Sequence, residues 1–111
     1  MKNEYNESLD RNGYARSLFD LYSGSCFVCG RSDRALQRHE IYHGAYRDKS
    51  KALGLWVQLC DVCHDRLHHR DARIDKQLKQ YAQKVAMNNY NWTVADFRKR
   101  FGKNYLEEND E

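Results

Sequence analysis

Two pairs of cysteines constrain this chain more than any other feature. Cys26 and Cys29 are three apart, Cys60 and Cys63 are three apart, and thirty residues lie between the pairs. Each pair has the spacing of a zinc knuckle, a tight turn that presents two thiolates while nearby backbone amides face sulfur, and Gly30 supplies the freedom such a turn needs. Four thiolates from two knuckles can meet tetrahedrally round one ion at about 2.3 Å. We therefore expect structural Zn²⁺ on Cys26, Cys29, Cys60 and Cys63. Two disulfides would each close too little chain to add much stability, and a redox pair would account for only one knuckle. The string CDVCH also matches the haem-attachment pattern, but that use would leave Cys26 and Cys29 without a role and would require export.

A metal suits the rest of the composition. The chain has 111 residues, enough for one small domain, and its mean hydropathy of -1.00 with 32% charged residues implies a thin core that a bound ion would reinforce. There is no apolar run of membrane-spanning length, and MKNEYNESLD is acidic and polar where a secretory signal would be basic and then apolar. The expectation is a soluble cytoplasmic protein with no membrane partner. Charge is unevenly spread: residues 31–103 hold 16 Lys and Arg against 8 Asp and Glu, whereas both ends are acidic. A basic middle suits a polyanion, nucleic acid first, the alternative being a merely solvated surface.

Residues 1–12 lack periodicity and read as a mobile arm, followed by a short helix with Leu18, Phe19, Leu21 and Tyr22, so that 1–25 form an arm and helix. Alternation puts Leu36, Arg38, Glu40 and Tyr42 on one side of a strand and His39 and Ile41 on the other; a Gly44 turn, a basic loop and an apolar strand from Leu55 to Leu59 follow. A helix capped by Asp61 is expected after Cys63. Ile74, Leu78, Tyr81, Ala82 and Val85 then mark one helical face, NNYNW breaks the pattern, and Thr93 with Asp96 caps a last helix that Gly102 stops. The acidic tail, 107–111, reads as disordered.

Three of the five histidines stand at 64, 68 and 69. His64 and His68 are one helical turn apart and share a face, while His69 points about 100° away. Attached to the second knuckle, the pair has a fixed direction and can bind one cation, the alternative being two surface histidines on a polar helix. His39 and His43 lie upstream. Together these groups provide what phosphodiester hydrolysis needs, a metal to neutralise charge and a base to deprotonate water.

QRHEIYHG, GLWVQLCDVCH and HHRD, between and after the two knuckles, resemble the HNH endonucleases of the ββα-metal (His-Me finger) group, and in particular the small proteins of this type encoded by phages and prophages. DKQLKQYAQ and FRKRFGKNYL are similar to C-terminal helices of that phage group, so the resemblance spans about residues 26–106. It implies an α+β fold, a small zinc-stabilised, treble-clef-like ββα-metal core with additional C-terminal helices. It also implies a metal-dependent DNA endonuclease that uses Mg²⁺ or Mn²⁺ in a bacterial host cytoplasm. By match to the motif, His64 and His68 are ligands of the catalytic metal. The upstream pair has two readings. Either His39 is a ligand and Glu40 the base or a further ligand, or His39 is itself the base with Arg38 in the first position; an ordinary glutamate near pKa 4.3 is a weak base at neutral pH, which favours His39. Arg38, Arg47, Lys49 and Lys51 are the expected DNA contacts, and two chains pairing as a homodimer would allow both strands to be cut.

The pattern departs from the family at its middle Asn: none occurs between His39 and Cys60. Two alternatives follow. One is a zinc-stabilised nucleic-acid-binding or phage accessory protein with little or no catalysis; the other is a protein-binding knuckle domain that presents Tyr42, Tyr46 and Trp56 as exposed aromatics.

Overall fold

Two strands, β1 (Leu36–Glu40) and β2 (Trp56–Cys60), carry the residues that matter most, and their register decides where those residues go. In the computed structural model, which describes residues 1–19 and 24–106, they pair antiparallel with Leu36 opposite Cys60, Arg38 opposite Gln58 and His39 opposite Val57. Successive strand side chains alternate between faces. His39 is accordingly buried, while Arg38 and Glu40 both turn toward Tyr14 on the other side. β2 is buried along almost its whole length, as an apolar run between two layers requires.

Four helices accompany the sheet among the described residues: α1 (Arg47–Ala52), α2 (Asp61–His69), α3 (Ala72–Tyr90) and α4 (Val94–Phe101). The fold is α+β. The expected basic loop after Gly44 is instead a single 3-10 turn at Gly44–Tyr46 running into α1. Ser50 anchors that helix to both strand ends, since its buried hydroxyl accepts from Tyr42 N and donates to Leu55 O.

Helix α2 begins directly at the end of β2, earlier than expected, and its cap is Cys60 rather than Asp61. The Cys60 sulfur accepts from Cys63 N, while Asp61 is the first helical residue and its carboxylate pairs with Arg34 in a two-pronged contact of 2.6 and 2.7 Å. That pair ties the loop after the first knuckle to the start of the helix. Helix α3 buries Leu78, Ala82, Gln83 and Ala86 and runs on through Asn88 and Asn89 to Tyr90, ending at Asn91 in a left-handed conformation. Tyr81, expected inward, is 49% exposed and leans on Phe19 and Phe27 instead. The expected capping box of Thr93 and Asp96 opens α4, and Gly102 closes it with φ +77°.

The core joins both halves of the chain. Tyr42 is buried among Phe97, Phe101 and Tyr105, so α4 is packed on the end of β1. Residues 1–12, read as a mobile arm, are bound to the body. Asn3 donates to Ala52 O, Tyr5 stacks on Tyr90 and accepts from Trp92, and Glu4 pairs with Arg100. Tyr14–Phe19 are not helical. The part of the expected short helix that contains Leu21 and Tyr22, and the tail 107–111, lie outside the described residues. Among the described residues no helix is long and apolar enough to cross a membrane.

Candidate functional site

The first knuckle forms because the Gly30 amide returns to Cys26 O while Cys26 N donates to Arg31 O, a closed turn with Gly30 at φ +79°. Phe27 N donates to Gln58 O, which docks the turn beside β2. The second knuckle is the junction of β2 with α2. The four sulfurs consequently lie within 4.8 Å of one another, with Cys26, Cys60 and Cys63 buried and Cys29 exposed. Tetrahedral bonds of about 2.3 Å place sulfurs about 3.8 Å apart, and the Cys29 and Cys60 sulfurs are 3.8 Å apart. This four-cysteine group could hold a metal such as zinc. Burial opposes charge on the Cys26 thiol, but backbone hydrogen bonds from Cys29, Cys60 and Val28 outweigh it and hold the thiol at about 6; burial and the neighbouring sulfurs push Cys63 up. With Cys60 and Cys63 turned into this group, neither is placed for the thioether bonds of a haem.

The histidines converge across the other face of the same strand-to-helix junction. His39 projects from the middle of the sheet toward α2, on which His64 and His68 lie one turn apart. Their ring centroids stand 5.3 and 5.5 Å from that of His39, and 4.7 Å from each other. One nitrogen from each falls within 4.8 Å of the others. His39 is 3% exposed, and its Nε2 is buried with no hydrogen-bond partner. An orphaned buried nitrogen costs about 1–3 kcal/mol unless something pairs with it. Neutral imidazoles with free lone pairs are cation ligands, so the residues fit a bound divalent metal. Burial first, then the imidazoles of His64, His43 and His68, push the His39 pKa down to about 3, and His68 is lowered for the same reasons. Both shifts favour the neutral form that ligation requires.

Other expected site residues are placed differently. Glu40 is not in the cluster: its carboxylate accepts from the Tyr14 hydroxyl and from Arg47 Nε at 3.2 Å. The strand pleat explains this, since adjacent residues cannot share a face. Arg38 pairs with Asp10 at 2.9 Å and lies over the rings of Tyr14 and Trp56, and Lys51 donates to Asn12 O and also stands over Tyr14. Lys49 donates to Arg100 O. Arg38, Arg47 and Lys51 thus gather round Tyr14 and Glu40, whereas Lys49 reaches α4. His69 lies outside the three-histidine group and is 3.9 Å from Asp65. Tyr42 and Trp56 are buried and Tyr46 half-buried, which removes the exposed aromatic surface expected for a protein-binding knuckle.

Two further residues complete the site: His43, counted with the other histidines but given no individual role, and Asp75, which the sequence did not single out. His43 borders His39 and His68 at centroid distances of 5.8 and 5.6 Å, and its Nε2 lies 3.2 Å from Asp75 Oδ1. Burial works against charge on Asp75, yet hydrogen bonds from His43 and Lys79 hold its carboxyl at about 2. Asp75 sits in the first turn of α3, where the sequence reads only as an amphipathic helix, so nothing local announced it. No family model, curated protein or solved structure matches the chain.

Proposed function

We propose that this protein is an HNH-like, metal-dependent endonuclease that hydrolyses phosphodiester bonds in DNA, built on a ββα-metal arrangement of β1, β2 and α2 and held together by zinc on the four cysteines. The observation that carries this reading is the meeting of His39, His64 and His68, with the buried Nε2 of His39 lacking any partner in the protein.

In this reading His39, His64 and His68 hold the catalytic divalent ion, which when bound neutralises charge on the phosphate and its leaving oxygen. A donor set of imidazoles without a carboxylate suits Mn²⁺ or another first-row ion better than Mg²⁺, which prefers oxygen. A base must reach water, and His39 Nε2 is enclosed, so His39 serves as ligand and not as base. Glu40 is engaged by Tyr14 and Arg47. His43 takes the proton: with Nε2–H donated to Asp75, its Nδ1 remains an acceptor, and its ring borders the ligands. Asp75 fixes the tautomer, as a carboxylate does for a catalytic histidine elsewhere.

The test is plasmid nicking by wild type, His39→Ala and His43→Gln in Mg²⁺, Mn²⁺ and EDTA, with folding checked by circular dichroism. Mn²⁺-dependent nicking lost in both variants, with ion binding lost only in His39→Ala, is the expected result. Nicking that persists in His39→Ala refutes the proposal. The missing middle Asn supports a second reading, a zinc-stabilised nucleic-acid-binding protein without catalysis, and a folded wild type that binds DNA but never nicks it would establish that one.

A further inference from the structure

A separate feature lies on elements that contribute nothing to the histidine cluster. The N-terminal arm, α1 and α4 enclose an open cleft of about 400 Å³ with Leu9, Ala52 and Leu53 among its apolar lining. Its charged rim is Lys2, Lys49, Lys99, Arg100 and Glu4. Four cations face one carboxylate, a local surplus of three positive charges. Lys2, Lys49 and Lys99 form no ion pair among the described residues; Lys49 spends one hydrogen bond on Arg100 O.

The one carboxylate indicates what the cleft accepts. Glu4 is gripped by Arg100 through two contacts, Nη2 to Oε2 at 2.6 Å and Nε to Oε1 at 3.3 Å. The guanidinium is itself fixed: it stacks on the Trp92 ring at 4.4 Å, and Nη1 donates to Asp96 O. The Arg100 hydrogen bond, with a smaller contribution from Lys49, holds the Glu4 carboxyl below its ordinary range. A preset guanidinium fork binds phosphate oxygens by the same geometry as carboxylate oxygens. Lysines around it add point charges suited to a chain of phosphates.

We infer that this cleft is a phosphate-binding site that grips the backbone of double-stranded DNA, with Lys2, Lys49, Lys99 and Arg100 as its contacts and Glu4 as the internal anion that phosphate displaces. The inference rests on DNA being the partner, as in the function proposed above, but not on cleavage. Contacts of this kind position a duplex without reading its sequence.

The experiment is fluorescence anisotropy with a short labelled duplex and zinc-loaded protein, without added Mg²⁺ or Mn²⁺, titrated across about 50–200 mM salt. The variants are Lys49→Ala/Lys99→Ala, Glu4→Gln, and Lys76→Ala/Lys84→Ala on α3 as a control that removes the same net charge. The cleft double variant should lose about ten-fold in affinity and lower the salt slope by about two, roughly one per phosphate contact removed. Glu4→Gln should bind a few-fold more tightly because Arg100 is released, and the α3 control should change far less than the cleft variant. Equal affinity and slope in wild type and Lys49→Ala/Lys99→Ala, equal losses in the α3 control, or no duplex binding by wild type would each overturn the inference. Binding lost in the cleft variant upholds the cleft even if plasmid nicking fails, and nicking with unchanged binding upholds the nuclease while refuting the cleft.

Discussion

Replacing Cys29 by alanine separates a metal site from a merely packed cysteine cluster, because Cys29 is the one exposed member of the four. If the sulfurs only packed, truncating an exposed side chain would change stability by no more than about 0.5 kcal/mol. If they hold zinc, Cys29→Ala leaves three ligands, and much of the metal's contribution to folding disappears. Structural zinc binds with about 10–16 kcal/mol of apparent free energy, comparable to the whole stability of a small domain. Losing even a quarter of that removes about 3 kcal/mol, which for a domain of this size lowers Tm by roughly 12 °C or more. The three remaining sulfurs are buried round the vacated position, so the core beneath them is loosened as well. The assay is zinc content by elemental analysis together with thermal unfolding followed by circular dichroism. A wild type with one zinc per chain at the cysteines and a zinc-free Cys29→Ala variant that melts far lower is the expected result. A variant whose Tm stays within a few degrees of a wild type that never loads zinc would refute the reasoning.

Three further outcomes follow from the packing. Ser50→Ala strands the Tyr42 amide and the Leu55 carbonyl in the core, and should cost about 1–3 kcal/mol in urea unfolding. Gly54→Ala places a methyl 2.5 Å from Arg16 O at φ +76°, so both backbone strain and overlap act, and a loss of at least about 1–3 kcal/mol is expected in the same measurement. His39 has a folded pKa lowered from 6.5 to about 3, so its neutral form adds stability that is full above about pH 6.5 and is lost as pH falls toward 3. Acid unfolding of protein kept free of metal at the histidines should therefore be less steep across that window in His39→Gln than in wild type.

Much of the local architecture was legible in the sequence. Cys-x-x-Cys turns, the Thr93 and Asp96 capping box and the Gly102 stop are short-range devices whose geometry involves only a few consecutive residues, and each lies where the spacing puts it. The alternation that sends His39 to one face and Arg38 and Glu40 to the other is equally local, since it follows from the strand pleat alone. Helix boundaries were less legible. Cys60 Sγ replaced Asp61 as the cap of α2 because a sulfur already aimed at the knuckle is also placed to accept from Cys63 N, a use that residue type does not reveal.

What only the tertiary structure decided depends on contacts between distant segments. Antiparallel register set His39 against α2, bringing the three histidines already singled out by spacing and resemblance into one group, and the crossing of α3 brought Asp75 to His43. The acidic arm gave two of the expected DNA contacts new partners, Asp10 taking Arg38 and Asn12 taking Lys51, and it set Glu4 on Arg100 beside Lys49. Charge along a chain determines that a protein can attract a polyanion, because the net field adds over all residues. Which cations remain unpaired to grip one is determined by which carboxylates folding carries to them, and that information exists only in three dimensions.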